Sequence, residues 1–148
     1  PKRALARELG ATHLIDPAAG DVVAEIRKIV PGGVDFAIEA TGLPAVMIQA
    51  LESVHQQGGR AVVIGNARKG EAMTLDPRLL NDGKSLLGCW GGDSIPDRDF
   101  PRLARLVVSG RIKVDPLLSK PYSLVQINDA LNDLEKGRVG RPLIEMAL

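Results

Sequence analysis

The sequence is poor in aromatic residues and cysteine and has no long apolar run, and each shortage excludes a class of protein. Aromatic residues make up 3% of the 148 residues, which argues against the stacking platforms that bind single-stranded nucleic acid. A single cysteine, Cys89, cannot form an internal disulfide, so we expect a cytoplasmic location. No stretch approaches the roughly 20 apolar residues that span a bilayer, so we expect no membrane partner.

The charges are nearly balanced, and this too excludes a group of partners. Lys and Arg number 19 against 18 Asp and Glu, which gives a formal net charge of +1. A nucleic-acid-binding surface is strongly basic, so we expect no nucleic-acid partner. The glycine-rich phosphate loop G-x-G-x-x-G is also absent. Because the chain starts at Pro1, inside a predicted helix start, we expect it to begin within a longer protein.

Two apolar runs that end in glycine carry the clearest structural signal. Residues 34–40 lead into Thr41-Gly42, and residues 60–64 lead into Gly65-Asn66. The segment between them, residues 43–55, has helical spacing, so the three segments together predict a parallel β-α-β unit. Open α/β sheets bind ligands at the carboxyl ends of their strands, and a glycine there lets a flat ligand approach the backbone. We therefore expect a ligand at these strand ends.

Helical and strand patterns alternate along the rest of the chain, which predicts an α/β fold with a largely parallel sheet. The other predicted helices begin at Lys2, after the capping residue Asp21, near Phe100 and after a capping box at Ser123 and Gln126, with a helical turn at 77–80. The other predicted strands are residues 13–15, 72–75, 85–90 and 142–146.

Six short motifs follow one another in a specific order and spacing. They are Glu8-Leu9-Gly10-Ala11-Thr12, residues 33–36 through Thr41-Gly42, residues 62–65, Leu86-Leu87-Gly88, residues 91–94 and residues 137–142. Together they resemble the medium-chain dehydrogenase family of the zinc-dependent alcohol dehydrogenase type, over essentially the whole chain. The resemblance implies a Rossmann-like, doubly wound parallel sheet that is incomplete here. It assigns residues 1–90 to part of a dinucleotide-binding domain and residues 91–148 to a C-terminal segment that returns to the catalytic domain.

The resemblance implies a set of cofactor-binding residues at the strand ends. Residues 41–43 would line the adenine and ribose pocket, although Thr41 equally suits a helix N-cap. Residues 64–66 would contact the ribose and carboxamide on the nicotinamide side, although a tight turn explains them too. These residues are Thr41, Gly42, Leu43, Ile64, Gly65 and Asn66.

Four further residues complete the implied cofactor site. The backbone at Cys89 and Trp90 would meet the nicotinamide carboxamide, while the Cys89 side chain suits a small buried hydrophobe. Lys2 would reach the adenosine ribose and phosphate edge, and Arg141 would pair with the pyrophosphate through its guanidinium fork. Both cations also suit a solvated surface.

The implied activity is the oxidation of alcohols to aldehydes or ketones by hydride transfer to a nicotinamide cofactor, with NAD favoured over NADP. Zinc would polarise the alcohol in the intact enzyme. This chain offers one cysteine and two distant histidines, His13 and His55, and lacks the H-E-x-x-H pattern, so we expect it to bind no zinc. We expect no catalytic residue here and no activity from the isolated chain.

The oligomeric state and two alternatives remain open at this stage. The resemblance implies a homodimer or homotetramer joined through residues 72–75. The absent first strands would lie between residues 13–15 and 34–40, so we expect a gap in the sheet and unusual association of the bare chain. The alternatives are a zinc-free quinone or enoyl reductase of the same superfamily and a non-catalytic nucleotide-binding module.

Overall fold

The computed structural model describes residues 2–146, and the chain divides into two compact units. One unit is Ile15–Ser94, and the other combines the described residues up to Leu14 with those from Ile95 onward. The assignment of residues 1–90 to a dinucleotide-binding domain, and of residues 91–148 to a segment of the catalytic domain, stays a prediction. Among residues 2–146, no helix is both long enough and apolar enough to cross a membrane.

Helices and strands alternate as the sequence predicts, which confirms an α/β fold. In chain order the helices are α1 (Lys2–Glu8), α2 (Val22–Ile29), α3 (Pro44–Ser53), α4 (Arg78–Asn81), α5 (Pro96–Val108) and α6 (Ile127–Glu135). The strands are β1 (Phe36–Glu39), β2 (Arg60–Val63), β3 (Ser85–Gly88), β4 (Leu118–Ser123) and β5 (Arg141–Glu145).

The unit Ile15–Ser94 contains a three-stranded parallel sheet in the order β1-β2-β3. The β-α-β unit predicted from the two glycine-ended runs is confirmed as β1, α3 and β2. Val63 pairs with Glu39 on one side and with Gly88 on the other, so the three strands finish level with one another. Their carboxyl ends therefore share one edge of the sheet.

The core of this unit lies between α3 and the sheet. Leu51 and Val54 from the end of α3 pack with Ala61 of β2, and all three side chains are fully buried. Burial of apolar surface of this kind stabilises a fold by about 25 cal/mol per Å². Partly buried side chains surround the trio, namely Val34, Ala37, Ala50, Leu79 and Leu86.

A buried lysine holds the carboxyl end of α3 in place. Lys84, just before β3, donates from Nζ to the backbone oxygens of Leu51 at 3.2 Å and Glu52 at 2.9 Å. These carbonyls have no partner within the helix, and a cation at a helix C-terminus is favourable. Burial lowers the pKa of Lys84, and the nearby positive charge of Arg27 lowers it further. Lys84 therefore links the sheet to the end of the helix that supplies the core.

The second unit contains the parallel pair β4 and β5, with α6 packed beside it. The predicted capping box is confirmed, since Gln126 Oε1 accepts hydrogen bonds from both the amide and the hydroxyl of Ser123. Asp133 on α6 accepts from Tyr122 Oη and from Arg138 Nη1, each at 3.0 Å. That carboxylate ties β4 to the turn that precedes β5.

Two predicted strands are wrong. Residues 13–15 and 72–75 are irregular, although their side chains suit strands. A strand exists only where a neighbouring strand pairs with its amides and carbonyls, and within residues 2–146 neither segment has such a neighbour. The expected gap between residues 13–15 and β1 is wrong for the same reason, because the sheet that forms is contiguous.

Candidate functional site

The candidate site is the edge of the sheet where β1, β2 and β3 end. Beyond the strands, the backbone oxygen of Glu39 accepts from the amides of Ile64 at 2.9 Å and Gly65 at 3.1 Å. The amide of Cys89 donates to the backbone oxygen of Val63 at 3.0 Å. These bonds extend the ladder past the strands, so the three following turns keep fixed positions relative to one another.

The turns after β1 and β2 are packed backbone against backbone. Gly42 has a φ of +77°, and a Cβ placed on it would stand 2.3 Å from the backbone oxygen of Asn66. A Cβ on Gly65 would stand 2.2 Å from the amide nitrogen of Gly42. Both positions require glycine because the neighbouring turn fills the space where a side chain would begin. The sequence analysis explained these glycines by the approach of a flat ligand. In the structure, each glycine instead makes room for the backbone of the other turn.

A buried carboxylate organises the turn after β1. Glu39 is 2% exposed, and its Oε1 accepts from the amide of Thr41, from Thr41 Oγ1 at 2.6 Å and from the amide of Gly42 at 3.0 Å. Its other oxygen, Oε2, is buried with no hydrogen-bond partner among the described residues. A charge removed from water is tolerated only when such donors replace the lost hydration. The Thr41-Gly42 turn therefore takes its shape from Glu39.

Burial and hydrogen bonding shift the pKa of Glu39 in opposite directions. Burial raises the pKa of the carboxyl, but the hydrogen bonds from Thr41 and Gly42 outweigh it and leave the pKa below its ordinary value. Hydrogen bonds to the charged form have this effect because protonation would weaken them. Glu39 is therefore a carboxylate at neutral pH, hydrogen-bonded to the turn that directly follows its own strand.

This lowered pKa predicts how stability changes with pH. Because folding favours ionised Glu39, its contribution is fully present above the unfolded pKa of about 4.3 and is lost as pH falls through the lower folded value. The difference in unfolding free energy between the wild type and Glu39→Gln, which cannot titrate there, should be constant from about pH 7 to 5 and shrink below about pH 4. Urea unfolding at each pH measures it. An equal difference at neutral and at strongly acid pH would contradict the assignment.

A cavity of about 440 Å³ lies between the ends of β2 and β3. Trp90 borders it with an indole that is 86% exposed, whereas Cys89 is only partly exposed. The next three residues, residues 91–93, all have positive φ values, of 55°, 74° and 48°. This turn leaves Trp90 outside the core. The residues around the cavity are Val63, Ile64, Gly65, Asn66, Gly88, Cys89, Trp90 and Asp93.

The structure brings eight of the ten predicted cofactor residues to this edge, and the other two belong to the second unit. Residues 41–43, 64–66 and 89–90 directly follow β1, β2 and β3. Lys2 begins α1 and borders a second cavity of about 380 Å³ together with Arg138 and Gly140. Arg141 follows Gly140 as the first residue of β5. Within the second unit, Lys2 therefore lies beside residues 137–140, the turn that leads directly into Arg141.

Two features of this edge differ from the sequence interpretation. Thr41 is not the N-cap of α3, since the helix begins at Pro44 with Leu43 as its N-cap. Thr41 Oγ1 instead accepts from the amide of Leu43, the capping residue itself, at 3.2 Å. Sequence reasoning also missed Glu39 as a site residue. For the helix start the available signal was Pro44, since proline favours the first helical position. For Glu39 it was a carboxylate at the end of an apolar run.

The described residues do not make a zinc site. Among residues 2–146, no three His, Cys, Asp or Glu side chains come together closely enough to hold a metal ion. A catalytic zinc ordinarily takes three protein ligands. The chemistry available at this edge is instead hydrogen bonding to a ligand, from backbone amides and carbonyls, the Thr41 hydroxyl and the side chains of Asn66 and Asp93.

Comparison with known proteins identifies the family. The sequence model described as zinc-binding dehydrogenase matches residues 1–109, well over half of the chain. The chain belongs to this zinc-binding dehydrogenase family. Within the family it is similar to S-(hydroxymethyl)glutathione dehydrogenase of Komagataella pastoris, with 32% identity over 98% of this chain and 39% of that protein. It is also similar to geraniol dehydrogenase of Castellaniella defragrans, with 36% identity over 97% of this chain and 38% of that protein.

Solved structures of dehydrogenases have the same fold. Benzyl alcohol dehydrogenase from Acinetobacter calcoaceticus superposes with a TM-score of 0.93 at 37% identity, over 99% of this chain and 40% of that chain. A dehydrogenase from Sinorhizobium meliloti 1021 bound to NADP superposes with a TM-score of 0.77 at 32% identity, over 99% and 40% of the two chains. The chain therefore spans about 40% of the length of these relatives. The Rossmann-like parallel fold expected from the resemblance is confirmed at this level.

Proposed function

We propose that this chain is the cofactor-holding part of an NAD(P)-dependent alcohol dehydrogenase. The observation that carries the proposal is the level edge at which β1, β2 and β3 end in glycine-containing turns, since open parallel sheets bind dinucleotides at such an edge. The similarity to the dehydrogenases named above, one of them bound to NADP, also supports a nicotinamide dinucleotide as the ligand. The substrate would be a small alcohol or aldehyde.

The proposed roles follow the order of the turns along the edge. Residues 41–43 hold the adenine and its ribose, while residues 64–66 hold the nicotinamide ribose. Backbone groups at Cys89 and Trp90 meet the carboxamide beside the cavity of about 440 Å³. Lys2 and Arg141 supply positive charge for the adenosine edge and the pyrophosphate. The chain itself positions the cofactor, and hydride transfer is the chemistry that the bound nicotinamide supplies.

The remaining parts of the proposal concern the protein of which this chain forms part. NAD is proposed as the preferred cofactor, and zinc is proposed to be held by residues outside this chain. We also propose a cytoplasmic homodimer or homotetramer. The irregular segment 72–75 gives a reason for association, because a strand-like sequence that pairs with no strand among residues 2–146 can pair with another copy.

Titration with NAD and NADP, followed by the fluorescence of Trp90, tests the proposal. Trp90 is the only tryptophan, and its exposed indole borders the proposed nicotinamide side. We expect saturable quenching and no turnover of simple alcohols by the isolated chain. Arg141→Ala should weaken binding by about tenfold to a hundredfold, since a charge-assisted bond to phosphate contributes about 1.5–3 kcal/mol. The matched control is Arg102→Ala on α5, which should bind like the wild type.

Each outcome of this titration discriminates between functions. Saturable binding without turnover, together with turnover by the full-length protein, supports the proposal. Saturable binding with no dehydrogenase activity of the full-length protein would favour a non-catalytic nucleotide-binding module. Absence of binding to either dinucleotide by both the chain and the full-length protein would contradict the proposal.

A further inference from the structure

Glu39 makes contacts that join the turn after β1 to the turn after β2. We propose that its carboxylate is a positioning residue for the dinucleotide, acting through the Thr41-Gly42 turn and Gly65. This inference rests on the proposed function, because it concerns the same edge of the sheet. Glu39 itself is too deeply buried to touch a ligand, so its effect is transmitted by the groups that it holds.

The side chain and the backbone of Glu39 accept hydrogen bonds from different turns. Oε1 collects two amides and one hydroxyl from Thr41 and Gly42, while the backbone oxygen collects the amides of Ile64 and Gly65. One residue therefore determines the direction of donors in both turns. Hydrogen bonds to an ionised acceptor are about twice as strong as neutral ones, so the charge matters and not only the shape.

The unpartnered oxygen marks where the two turns meet. Oε2 would stand 2.6 Å from a Cβ on Gly65, so it lies against the α-carbon of that glycine. A leucine would fill this volume without an unpaired carboxylate oxygen, but it would leave the amides of Thr41 and Gly42 and the Thr41 hydroxyl without their acceptor, and an unpaired buried donor costs free energy. What the carboxylate adds over an apolar side chain is the fixed orientation of the Thr41 and Gly42 donors.

The orientation of the Thr41 hydroxyl follows from this contact. Its proton is donated to Glu39 Oε1, so Oγ1 has only lone pairs to offer, and one of them accepts from the amide of Leu43. Thr41 can therefore accept a hydrogen bond from a ligand hydroxyl but cannot donate one. A ribose hydroxyl of the dinucleotide is a donor of the required kind.

Glu39→Gln in the full-length protein tests the proposal, with Glu52→Gln at the opposite end of α3 as the matched control. Gln keeps the volume but loses the charge, so we expect the Kd for NAD and NADP and the cofactor KM to rise about tenfold. We expect kcat at saturating cofactor to stay within about twofold, because Glu39 touches no reacting atom. Glu52→Gln should leave all of these values unchanged. Measurements well below the melting temperature of every variant exclude simple loss of folded protein.

The outcomes separate this proposal from the function on which it rests. If the wild type binds dinucleotide and folded Glu39→Gln binds it equally well, the positioning role is wrong and the proposed function stands. If the wild type binds neither dinucleotide, both are wrong. If Glu39→Gln does not fold, Thr41→Val and Thr41→Ser take its place. The valine should weaken binding about threefold and the serine should restore it, since only serine keeps the hydroxyl. Equal binding by valine and serine would overturn the proposal.

Discussion

Gly65→Ala is expected to abolish measurable dinucleotide binding and to destabilise the unit Ile15–Ser94. The added Cβ would stand 2.2 Å from the amide nitrogen of Gly42 and 2.6 Å from Glu39 Oε2. The nearest obstacles are backbone and a buried carboxylate, so the two turns must separate. Overpacking of this kind lowers the unfolding free energy by about 1–3 kcal/mol. Trp90 fluorescence titration and urea unfolding measure the two effects.

Gly32→Ala is the matched control for this prediction. Gly32 is exposed, and a Cβ built on it meets nothing within 4 Å. The same change of residue type there should leave binding as in the wild type and change stability by less than about 1 kcal/mol. Wild-type affinity in Gly65→Ala would show that the close contact between the turns after β1 and β2 has no part in holding the ligand.

Leu51→Ala is expected to cause the largest loss of stability among single changes in the core. Leu51 is 0% exposed and packs with Val54 and Ala61 between α3 and the sheet. Replacing a buried leucine by alanine costs about 2–5 kcal/mol, through lost transfer free energy and the cavity left behind. Because stability is only about 5–15 kcal/mol for a typical domain, this is a large fraction of it. Urea unfolding followed by circular dichroism measures the change.

Leu80→Ala provides the comparison within the same unit. Leu80 on α4 is 45% exposed, so its truncation removes less buried surface and should cost under about 1 kcal/mol. If the two variants lost equal amounts of stability, the core would not be centred on Leu51. We also expect Leu51→Ala to weaken dinucleotide binding, since α3 begins directly after residues 41–43.

Local patterns in the sequence were enough to predict the part of the fold that forms the candidate site. The runs before Thr41 and Gly65 are apolar and short, and the helical spacing between them is strong, so β1, α3 and β2 follow from nearest-neighbour information. The capping residues Asp21 and Ser123 were predicted correctly for the same reason, because a cap involves residues two or three positions apart.

The errors arise where structure depends on distant partners. Residues 13–15 and 72–75 have strand-like composition, but pairing is decided by what lies beside them, and among residues 2–146 nothing pairs with them. Glu39 was missed because its burial and its three donors result from the path of the chain after β1. The N-cap at Leu43 could have been predicted from the sequence, because Pro44 favours the first helical position.

The assignment of function relied on family resemblance more than on the residues alone. Alternating strands and helices with glycine at two strand ends predict a ligand-binding edge, but many ligands use such an edge. The order of the six motifs narrowed the ligand to a dinucleotide, and the family match over residues 1–109 confirmed the family.

Backbone amide chemical shifts during titration with NAD and NADP show whether the turns after β1, β2 and β3 form one wall of a dinucleotide cleft. If they do, we expect saturable shift changes concentrated at Gly42, Gly65 and Cys89, all with the same dissociation constant. Changes confined to residues elsewhere, or different dissociation constants for the three turns, would contradict it.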